Sequence, residues 1–487
     1  MKIGFDNEKY LKIQSEHIKD RISQFDGKLY LELGGKLFDD HHASRVLPGF
    51  QPDSKLRMFQ KISDSIEIVI VISAADIEKN KKRADLGITY DEDVLRLRGE
   101  FQNRGFMVGS VVITHYNGQP AATAFKQRLE RDGIKTYCHY LIEGYPHDVN
   151  LIASDEGFGK NDYVETERPL VIVTAPGPGS GKMAVCLSQL YNENKRGVRA
   201  GYAKFETFPV WNLPLKHPVN IAYEAATADL NDVNMIDPFH LEAYNKIAIN
   251  YNRDVEIYPV LNALFEGIYG SNPYKSPTDM GVNMVGFCIS DDEVCCEASK
   301  NEIVRRYYAA TNKLAMGACN EAEITKIQML FNQAKIITDY RKVTVAAKNH
   351  KKETGHTSAA IELGNGTIIC GHSSELLGCS AALLLNVMKH LGGIDHELKL
   401  IPQSMIKPIQ HTKISYLGGH NPRLHTDEVL VALSVLSEND ENCKKALGQL
   451  PKLRGCQAHC TVMLSEVDQK IFKKLGVDMT CEPVLKK

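Results

Sequence analysis

The sequence predicts an α/β protein: a parallel sheet with helices on both faces, a helical middle region, and a second, smaller α/β domain at the C-terminus. Three observations support this class. Short β-branched segments alternate with helical patterns through the first half of the chain. A glycine-rich turn joins one of these segments directly to a helical run. A second set of strand and helix patterns follows residue 341. Alternating strands and helices form parallel sheets covered on both faces.

In the first half, strands are predicted where apolar, β-branched runs are bounded by glycine or charged residues. The helical patterns between them have apolar residues at intervals of three and four. One of these helices ends at Gly133, which is typical of a C-terminal cap. The predicted strands are 29–33, 66–73, 110–114, 135–142, 169–174 and 199–205, and the predicted helices are 93–103, 121–132 and 183–191.

The second half begins with a helix-rich stretch in which we predict one strand, at 255–260. Helices are expected at 302–314 and 321–340. A hairpin of 358–363 and 367–370, with glycines at its turn, precedes a buried helix at 381–391. The predicted organisation is therefore an α/β domain over 1–290, a helical segment over 291–340 and a C-terminal α/β domain over 341–487.

Composition limits the classes of function. The 487 residues contain 58 Lys and Arg against 60 Asp and Glu, a formal charge of −2, so no overall positive field draws the chain to nucleic acid or anionic lipid. No run approaches the roughly 20 apolar residues of a spanning helix, and the first residues are polar. The twelve cysteines are dispersed, which favours reduced thiols. We expect a cytoplasmic protein without nucleic-acid or membrane partners.

The strongest local signal is the run TAPGPGSGKM, residues 174–183. It lies between a predicted strand and a predicted helix, an arrangement in which backbone amides and a helix N-terminus surround a phosphate. Its glycines allow close approach of an anion, and its lysine supplies a positive charge. The predicted phosphate-binding residues are Gly177, Gly179, Ser180, Gly181 and Lys182. A tight turn whose glycines serve only packing is the alternative.

This run departs from the phosphate-loop pattern G-x-x-x-x-G-K-[ST] at both ends. Pro176 stands where the first glycine belongs, and Met183 stands where a magnesium-binding hydroxyl belongs. A magnesium ion therefore needs another protein ligand. We expect Glu206, at the end of the next strand, or Asp237, before a proline, to supply it. Asp237 as a helix cap is the alternative.

The strand at 199–205 resembles the second strand of P-loop synthetases such as dethiobiotin synthetase, in which a lysine reaches the phosphate site. By that resemblance Lys204 faces the transferred phosphoryl group, and Lys182 and Lys204 form the catalytic pair. A surface lysine at a strand edge is the alternative interpretation of Lys204.

Two further polar clusters are candidates for binding an anionic substrate. Lys36 and Arg45 flank two acids and two histidines near the N-terminus, although Gly-Gly after a strand also suits a plain turn. Arg423 and His425 lie in a polar loop before a predicted helix, where Thr426 and Asp427 would otherwise only cap it. No His and Cys spacing matches a recognised zinc pattern, so zinc is not expected.

Over nearly its whole length the chain resembles an uncharacterised bacterial protein family, described only as a domain of unknown function. The resemblance implies that Pro176 and Met183 are the family's usual residues, and hence an atypical loop, but it implies no reaction. It is carried by runs such as LELGGKLFDDHHASRVLPGF, SDEGFGKNDYVETERPLVIVTAPGPGSGKMA and NPRLHTDEVL.

The predicted function is that of a transferase or ligase that uses ATP or GTP with magnesium and acts on a small anionic metabolite. A non-catalytic protein that binds a nucleotide or a phosphorylated metabolite is the main alternative, favoured by the missing hydroxyl at position 183. A metal hydrolase is a third class, although the chain has no H-E-x-x-H motif. The oligomeric state stays open, a homo-oligomer included.

Overall fold

A computed structural model describes residues 2–34, 37–38, 40–83 and 86–484. It divides into two compact units. The larger unit comprises Lys2–Glu224 and Asn231–Cys296, and the smaller unit comprises Ala225–Leu230 and the described residues from Glu297 onward. No helix in these described ranges has both the length and the apolar character needed to cross a membrane.

The larger unit is built on a parallel sheet flanked by helices, which confirms the predicted fold class. Nine strands lie in its described residues: β1 (Leu29–Leu33), β2 (Ile66–Ser73), β3 (Met107–Tyr116), β4 (Lys135–Tyr140), β5 (Leu170–Thr174), β6 (Gly201–Phe205), β7 (Asn234–Ile236), β8 (Ile249–Tyr251) and β9 (Gly281–Val282). Seven of them form one sheet in the order β4-β3-β2-β5-β1-β6-β9, with every neighbouring pair parallel. β7 and β8 form a separate antiparallel ribbon.

Helices connect these strands, as parallel pairing requires. They are α1 (Asn7–Ser23), α2 (His41–Val46), α3 (Ser54–Gln60), α4 (Ala74–Glu78), α5 (Tyr90–Gln102), α6 (Pro120–Arg131), α7 (Val149–Ile152), α8 (Lys182–Lys195), α9 (Pro218–Ala226), α10 (Pro238–Tyr244), α11 (Asn252–Tyr269) and α12 (Pro277–Met280). α13 (Asp292–Ala315) begins in this unit.

The central strands of the sheet are buried along their whole length. Every residue of β1, β2 and β5 is inaccessible to solvent or nearly so. Their core includes Val71, Val112 and Val173 from the sheet, with Leu187 and Leu190 from α8 packed against them. Continuous apolar strands of this kind are expected when helices cover both faces.

The predicted strand at 255–260 is wrong, because these residues belong to α11. Their β-branched and aromatic content favours a strand. Burial instead follows a helical period, since Val255, Tyr258, Leu261 and Leu264 are all buried at intervals of three residues. This interval places them on one face of the helix, which packs into the core of the larger unit.

The smaller unit has its own sheet and its own core. Its described strands are β10 (Ser358–Glu362), β11 (Ile368–His372), β12 (Gln457–Cys460) and β13 (Asp478–Cys481), in the order β11-β10-β12-β13. β10 and β11 form the predicted hairpin, β10 is also antiparallel to β12, and β12 is parallel to β13. This sheet is therefore mixed.

Helices also lie in the described part of the smaller unit, and the helix at Cys379–Gly392 corresponds to the predicted buried helix at 381–391. They are α14 (Glu321–Ala334), α15 (Lys342–Thr354), α16 (Cys379–Gly392), α17 (Gln403–His411), α18 (Thr426–Leu436), α19 (Glu441–Leu447) and α20 (Glu466–Lys474). The helix predicted over 321–340 is too long. α14 ends at Ala334 because Lys335 takes a left-handed conformation, with φ 54°.

Candidate functional site

The glycine-rich turn lies at the carboxyl end of β5, near the middle of the parallel sheet. Gly179 and Gly181 have backbone φ angles of 75° and 86°, which residues other than glycine rarely adopt. Two hydroxyls hold the turn closed. Ser180 donates from Oγ to the carbonyl of Gly177 at 2.9 Å, and Thr114, at the end of β3, donates from Oγ1 to the carbonyl of Ser180 at 2.7 Å. The turn is therefore a fixed structure before any ligand arrives.

The backbone amides of the exposed Gly179 and the half-buried Gly181 are accessible to an anion, whereas Ser180 between them is fully buried. Within the described part of the chain, the amides of Gly179, Ser180 and Gly181 donate to no protein group. They precede the first residue of α8, a helix of 14 residues. Helix N-termini combine such unpaired amides with the positive end of the helix dipole, and together they attract oxyanions.

Lys182 is the first residue of α8, and its side chain remains 15% exposed. Its Nζ lies 4.0 Å from Oε1 of Glu32 on the adjacent strand β1. The distance is at the outer limit of an ion pair, so the ammonium group is not locked by that carboxylate. Lys182 thus combines a charge with the position that an anion above the turn requires.

Lys204, in contrast, is held in a buried ionic cluster. Its Nζ lies 2.7 and 2.6 Å from the two carboxylate oxygens of Asp254, in the first turn of α11, and 3.0 Å from Oε1 of Glu206. Tyr251 donates to the same oxygen of Glu206 at 2.7 Å and also contacts Lys204. Two carboxylates therefore compensate one lysine in the ligand-free protein.

Burial and charge shift the pKa values of this cluster in opposite ways. Burial alone would lower the pKa of Lys204, but the charges of Asp254 and Glu206 outweigh it and raise that pKa well above its ordinary value. Burial raises the pKa of Glu206 to about 7, with Asp254 adding to the rise and Lys204 opposing it. Glu206 therefore exchanges a proton near neutral pH, while Lys204 stays charged.

Glu32 lies between the two lysines. It pairs in register with Val173 of β5 on one side and with Lys204 of β6 on the other. Its Oε2 accepts a hydrogen bond from Tyr202 at 2.8 Å, while its Oε1 faces Lys182. The carboxyl ends of β5, β1 and β6 thus bring the turn and the Lys204 cluster to one edge of the sheet. Ligands of open α/β sheets bind at this edge, where the strand order reverses.

A small cavity adjoins the Lys204 cluster. Its volume is about 40 Å³, and Lys204, Glu206, Asp254 and Trp211 are among its lining residues. The indole of Trp211 donates to the carbonyl of Asn283 at 2.8 Å, which fixes one wall. A space of this volume holds one or two water molecules.

Asp237 serves as a helix cap in this structure. Its Oδ1 accepts the amide of His240 at 3.0 Å and so caps α10. Its Oδ2 accepts the amide and the hydroxyl of Thr278 at 3.1 and 2.6 Å. Both oxygens of this fully buried carboxylate are therefore engaged with protein donors, which does not suit the predicted magnesium ligand and fits the alternative of a cap.

The predicted cluster near the N-terminus is only partly described. Lys36 lies outside the described residues. Arg45 lies in the last turn of α2. Asp40 caps that helix through the amide of Ala43 and pairs at 2.9 Å with Lys55, which is 2% exposed. Burial opposes the charge of Asp40, but Lys55 keeps the pKa of that carboxyl below its ordinary value.

Arg423 and His425 both make contacts within the smaller unit. Arg423 donates from Nε to the carbonyl of Ser374 at 2.6 Å. His425 is the N-cap residue of α18, in place of the predicted Thr426 and Asp427, and its Nδ1 lies 2.9 Å from Oδ2 of Asp468. Thr426 instead donates to Asp468 at 2.8 Å. Asp468 therefore organises this loop.

The sequence does not predict three residues of this site, Glu32, Tyr251 and Asp254. The signal for Glu32 was a single acid in the otherwise apolar strand LYLEL. Asp254 directly precedes the segment predicted as a strand, whereas in the structure it lies in the first turn of α11 and contacts Lys204 of β6.

Comparison with known proteins identifies the family. Residues 3–335 match the family model described as domain of unknown function DUF1846, N-terminal, and residues 339–487 match its C-terminal counterpart. The UPF0371 protein str1377 of Streptococcus thermophilus strain CNRZ 1066 is 54% identical over 482 residues, which cover 99% of this chain and 98% of that protein. The UPF0371 protein cu0538 of Corynebacterium urealyticum is 56% identical over 482 residues, covering 99% and 97%. The chain therefore belongs to this DUF1846 family.

Proposed function

We propose that the turn of residues 175–183 binds the phosphates of ATP or GTP, and that the protein is a nucleotide-dependent transferase or ligase acting on a small anionic metabolite. The observation that carries the proposal is that the accessible amides of Gly179 and Gly181 donate to no group in the described part of the chain and lie beside Lys182. Preorganised amides and a lysine at the carboxyl edge of a parallel sheet stabilise phosphate charge without further rearrangement.

The two lysines have different roles in this proposal. Lys182 and the amides hold the phosphates. Lys204 steadies the transferred group, for which it must exchange a bond to Asp254 or Glu206 for one to a phosphate oxygen. Protonation of Glu206, whose pKa is about 7, would weaken one of those two competing bonds. Catalysis would then rest on positioning and on charge compensation.

The sequence predicts Glu206 or Asp237 as the protein ligand of magnesium, and the proposal keeps Glu206. Asp237 is excluded from the proposal because three protein donors occupy its two oxygens. Glu206 is the acid that remains. Its Oε1 accepts from Tyr251 and faces Lys204, so a magnesium ion would rely on Oε2, on phosphate oxygens and on water. Magnesium usually keeps several waters and takes one or two carboxylates.

The cytoplasm is the proposed place of action, because it supplies nucleotides and magnesium. The formal charge of −2 supports small anionic ligands bound at a local site over nucleic-acid partners.

A direct test compares the binding of ATP and GTP, with and without magnesium, by titration calorimetry. Lys182→Ala should weaken nucleotide affinity by about tenfold or more, because a charge-assisted bond to phosphate is lost. Lys195→Ala is the matched control, since Lys195 is the last residue of the same helix and pairs with the exposed Asp155. Equal affinities for both variants, or no nucleotide binding by the wild type at millimolar concentration, would contradict the proposal.

A non-catalytic nucleotide-binding or phosphometabolite-binding protein is the second candidate. The specific observation in its favour is that Asp254 and Glu206 already neutralise Lys204. Incubation of the protein with MgATP and pools of carboxylated and phosphorylated metabolites, with release of ADP, AMP or phosphate as the signal, separates the two. Tight nucleotide binding that is unchanged by magnesium, with no turnover in any metabolite pool, would favour this second function.

A further inference from the structure

A cluster of three metal-binding side chains lies in the larger unit, apart from the residues assigned to phosphate binding. It consists of His217, Asp292 and Cys296, whose ligand atoms all lie within 4.8 Å of one another. Imidazole, carboxylate and thiolate are the three ligand types that zinc accepts in proteins. Neither the family descriptions nor the proposed nucleotide site accounts for this cluster.

Two local structures bring these side chains together. Asp292 and Cys296 stand four residues apart at the start of α13, so their side chains share one face of the helix. His217 directly precedes α9. Its amide donates to the carbonyl of Pro214 at 2.9 Å, and its own carbonyl accepts the amide of Ile221 at 3.0 Å. The histidine backbone is thereby fixed opposite the helix face.

The separations of the ligand atoms fit a tetrahedral ion. With zinc bonds of about 2.0–2.3 Å, ligand atoms of a tetrahedral site lie about 3.3–3.8 Å apart. Sγ of Cys296 lies 3.5 Å from Nε2 of His217 and 3.7 Å from Oδ2 of Asp292. Nε2 lies 3.0 Å from Oδ1, the other carboxylate oxygen of Asp292, so the carboxylate must rotate to place a single oxygen at a tetrahedral distance from both Sγ and Nε2.

We propose that His217, Asp292 and Cys296 bind one zinc ion, with a water molecule in the fourth position. The His217 side chain is 9% exposed and that of Asp292 is 60% exposed, so the ion would be anchored on its histidine side and open to solvent on its carboxylate side. Three protein ligands with one open position are typical of zinc sites that bind a further ligand.

Zinc binding requires a change in the imidazole. Nδ1 of His217 accepts a hydrogen bond from the amide of Val219 at 3.3 Å, which favours the tautomer that carries its ring proton on Nε2, facing Asp292. The ion takes the place of that proton, a proton binds at Nδ1, and the contact with Val219 is lost. The thiol of Cys296 gives its proton to solvent, because only the thiolate is a ligand.

Cobalt substitution tests this site directly. Purified full-length protein, treated with chelator under reducing conditions and titrated with Co²⁺, should bind one ion per chain. The bound ion should give the ultraviolet thiolate-to-cobalt charge-transfer band and the visible bands of a four-coordinate ion. Stoichiometric Zn²⁺ should remove both sets of bands by displacement.

The variants separate this site from other metal-binding groups. Cys296→Ser should abolish the charge-transfer band, and Asp292→Asn, a change at an exposed side chain, should weaken cobalt affinity by about tenfold or more. Cys319→Ser, at another half-exposed cysteine, should leave the spectrum unchanged. Lys182→Ala should do the same, so this test is independent of nucleotide binding. A charge-transfer band that persists in Cys296→Ser would overturn the proposal, as would cobalt bound without such a band or no cobalt bound at all.

Discussion

Glu206 changes its protonation near neutral pH because burial raises the pKa of its carboxyl to about 7. Its carboxylate contacts Lys204 and Tyr251. The negative charge of Asp254 adds to the rise in its pKa. In water a glutamate would be ionised throughout this range. The folded chain therefore holds a proton at this position that the unfolded chain releases.

We expect this proton to make stability depend on pH. Burial raises the pKa of Glu206 from 4.5 to about 7. The proton bound by the folded chain therefore stabilises it fully below about pH 4.5, and this stabilisation is lost as pH rises through about 7. The free energy of unfolding of the wild type should fall relative to that of Glu206→Gln between about pH 5 and about pH 7. Urea titrations across this range measure the difference. A difference that is constant or grows with pH would contradict the assignment.

At this scale, the sequence predicts the residues of the loop better than their partners. Lys182 and the loop glycines adjoin one another in the chain, and the structure places them between strand and helix as expected. Glu32 and Asp254 come from separate elements and approach the lysines only through the order of strands in the sheet. Local spacing carries no information about such partners. The predicted roles of Arg45, Arg423 and His425 stay untested predictions.

At the scale of elements, the turn before α8 depends on its left-handed residues. Gly181→Ala would place a β-carbon at φ 86° and 3.1–3.3 Å from the side chain of Thr114. We expect a loss of about 1–2 kcal/mol in the free energy of unfolding, together with weaker nucleotide binding. Gly99→Ala is the control, because it lies inside α5 with open space around it and should stabilise the protein by up to about 1 kcal/mol. Denaturant unfolding of the two variants measures both effects. If Gly99→Ala destabilised the protein as much as Gly181→Ala, the cost could not be attributed to the left-handed conformation of Gly181.

Element type follows from sequence where one period dominates. The strand at 66–73 consists mainly of β-branched residues, and it is a buried strand in the structure. The segment at 255–260 has the composition of a strand but the burial period of a helix, and its neighbours on both sides continue that period. Composition is misleading at 255–260 because tertiary burial decides between strand and helix, and six residues of sequence do not show that burial.

At the scale of the whole molecule, each unit has its own hydrophobic core. Leu190→Ala in the larger unit and Leu384→Ala in the smaller unit both remove a fully buried leucine. Each should cost about 2–5 kcal/mol. We expect calorimetric scans to show two transitions, with each variant lowering a different one. ATP should raise the transition that Leu190→Ala lowers, since only a native site that binds ligand is stabilised. A single transition that both variants lower equally would show that the cores unfold together.

The fold class of the larger unit could be predicted from the alternation of strands and helices, but the order of its strands could not. The sequence shows where strands begin and end, whereas neighbours in the sheet are chosen by long-range pairing. The cluster of His217, Asp292 and Cys296 illustrates the same limit, because the histidine stands 75 positions from Asp292 and has no metal-binding motif around it.

The position of β1 in the sheet constrains the order in which the chain can fold. β2, β3 and β4 are consecutive both in the chain and in the sheet, so they can pair as soon as they are synthesised. β1 has no such neighbour, since Leu29 pairs with Leu170 and Gly201. During synthesis the apolar residues of β1 stay unpaired until β5 and β6 have been made. Such long-range pairing slows folding and exposes aggregation-prone surface. β1 can therefore complete its pairing only after both β5 and β6 have been synthesised.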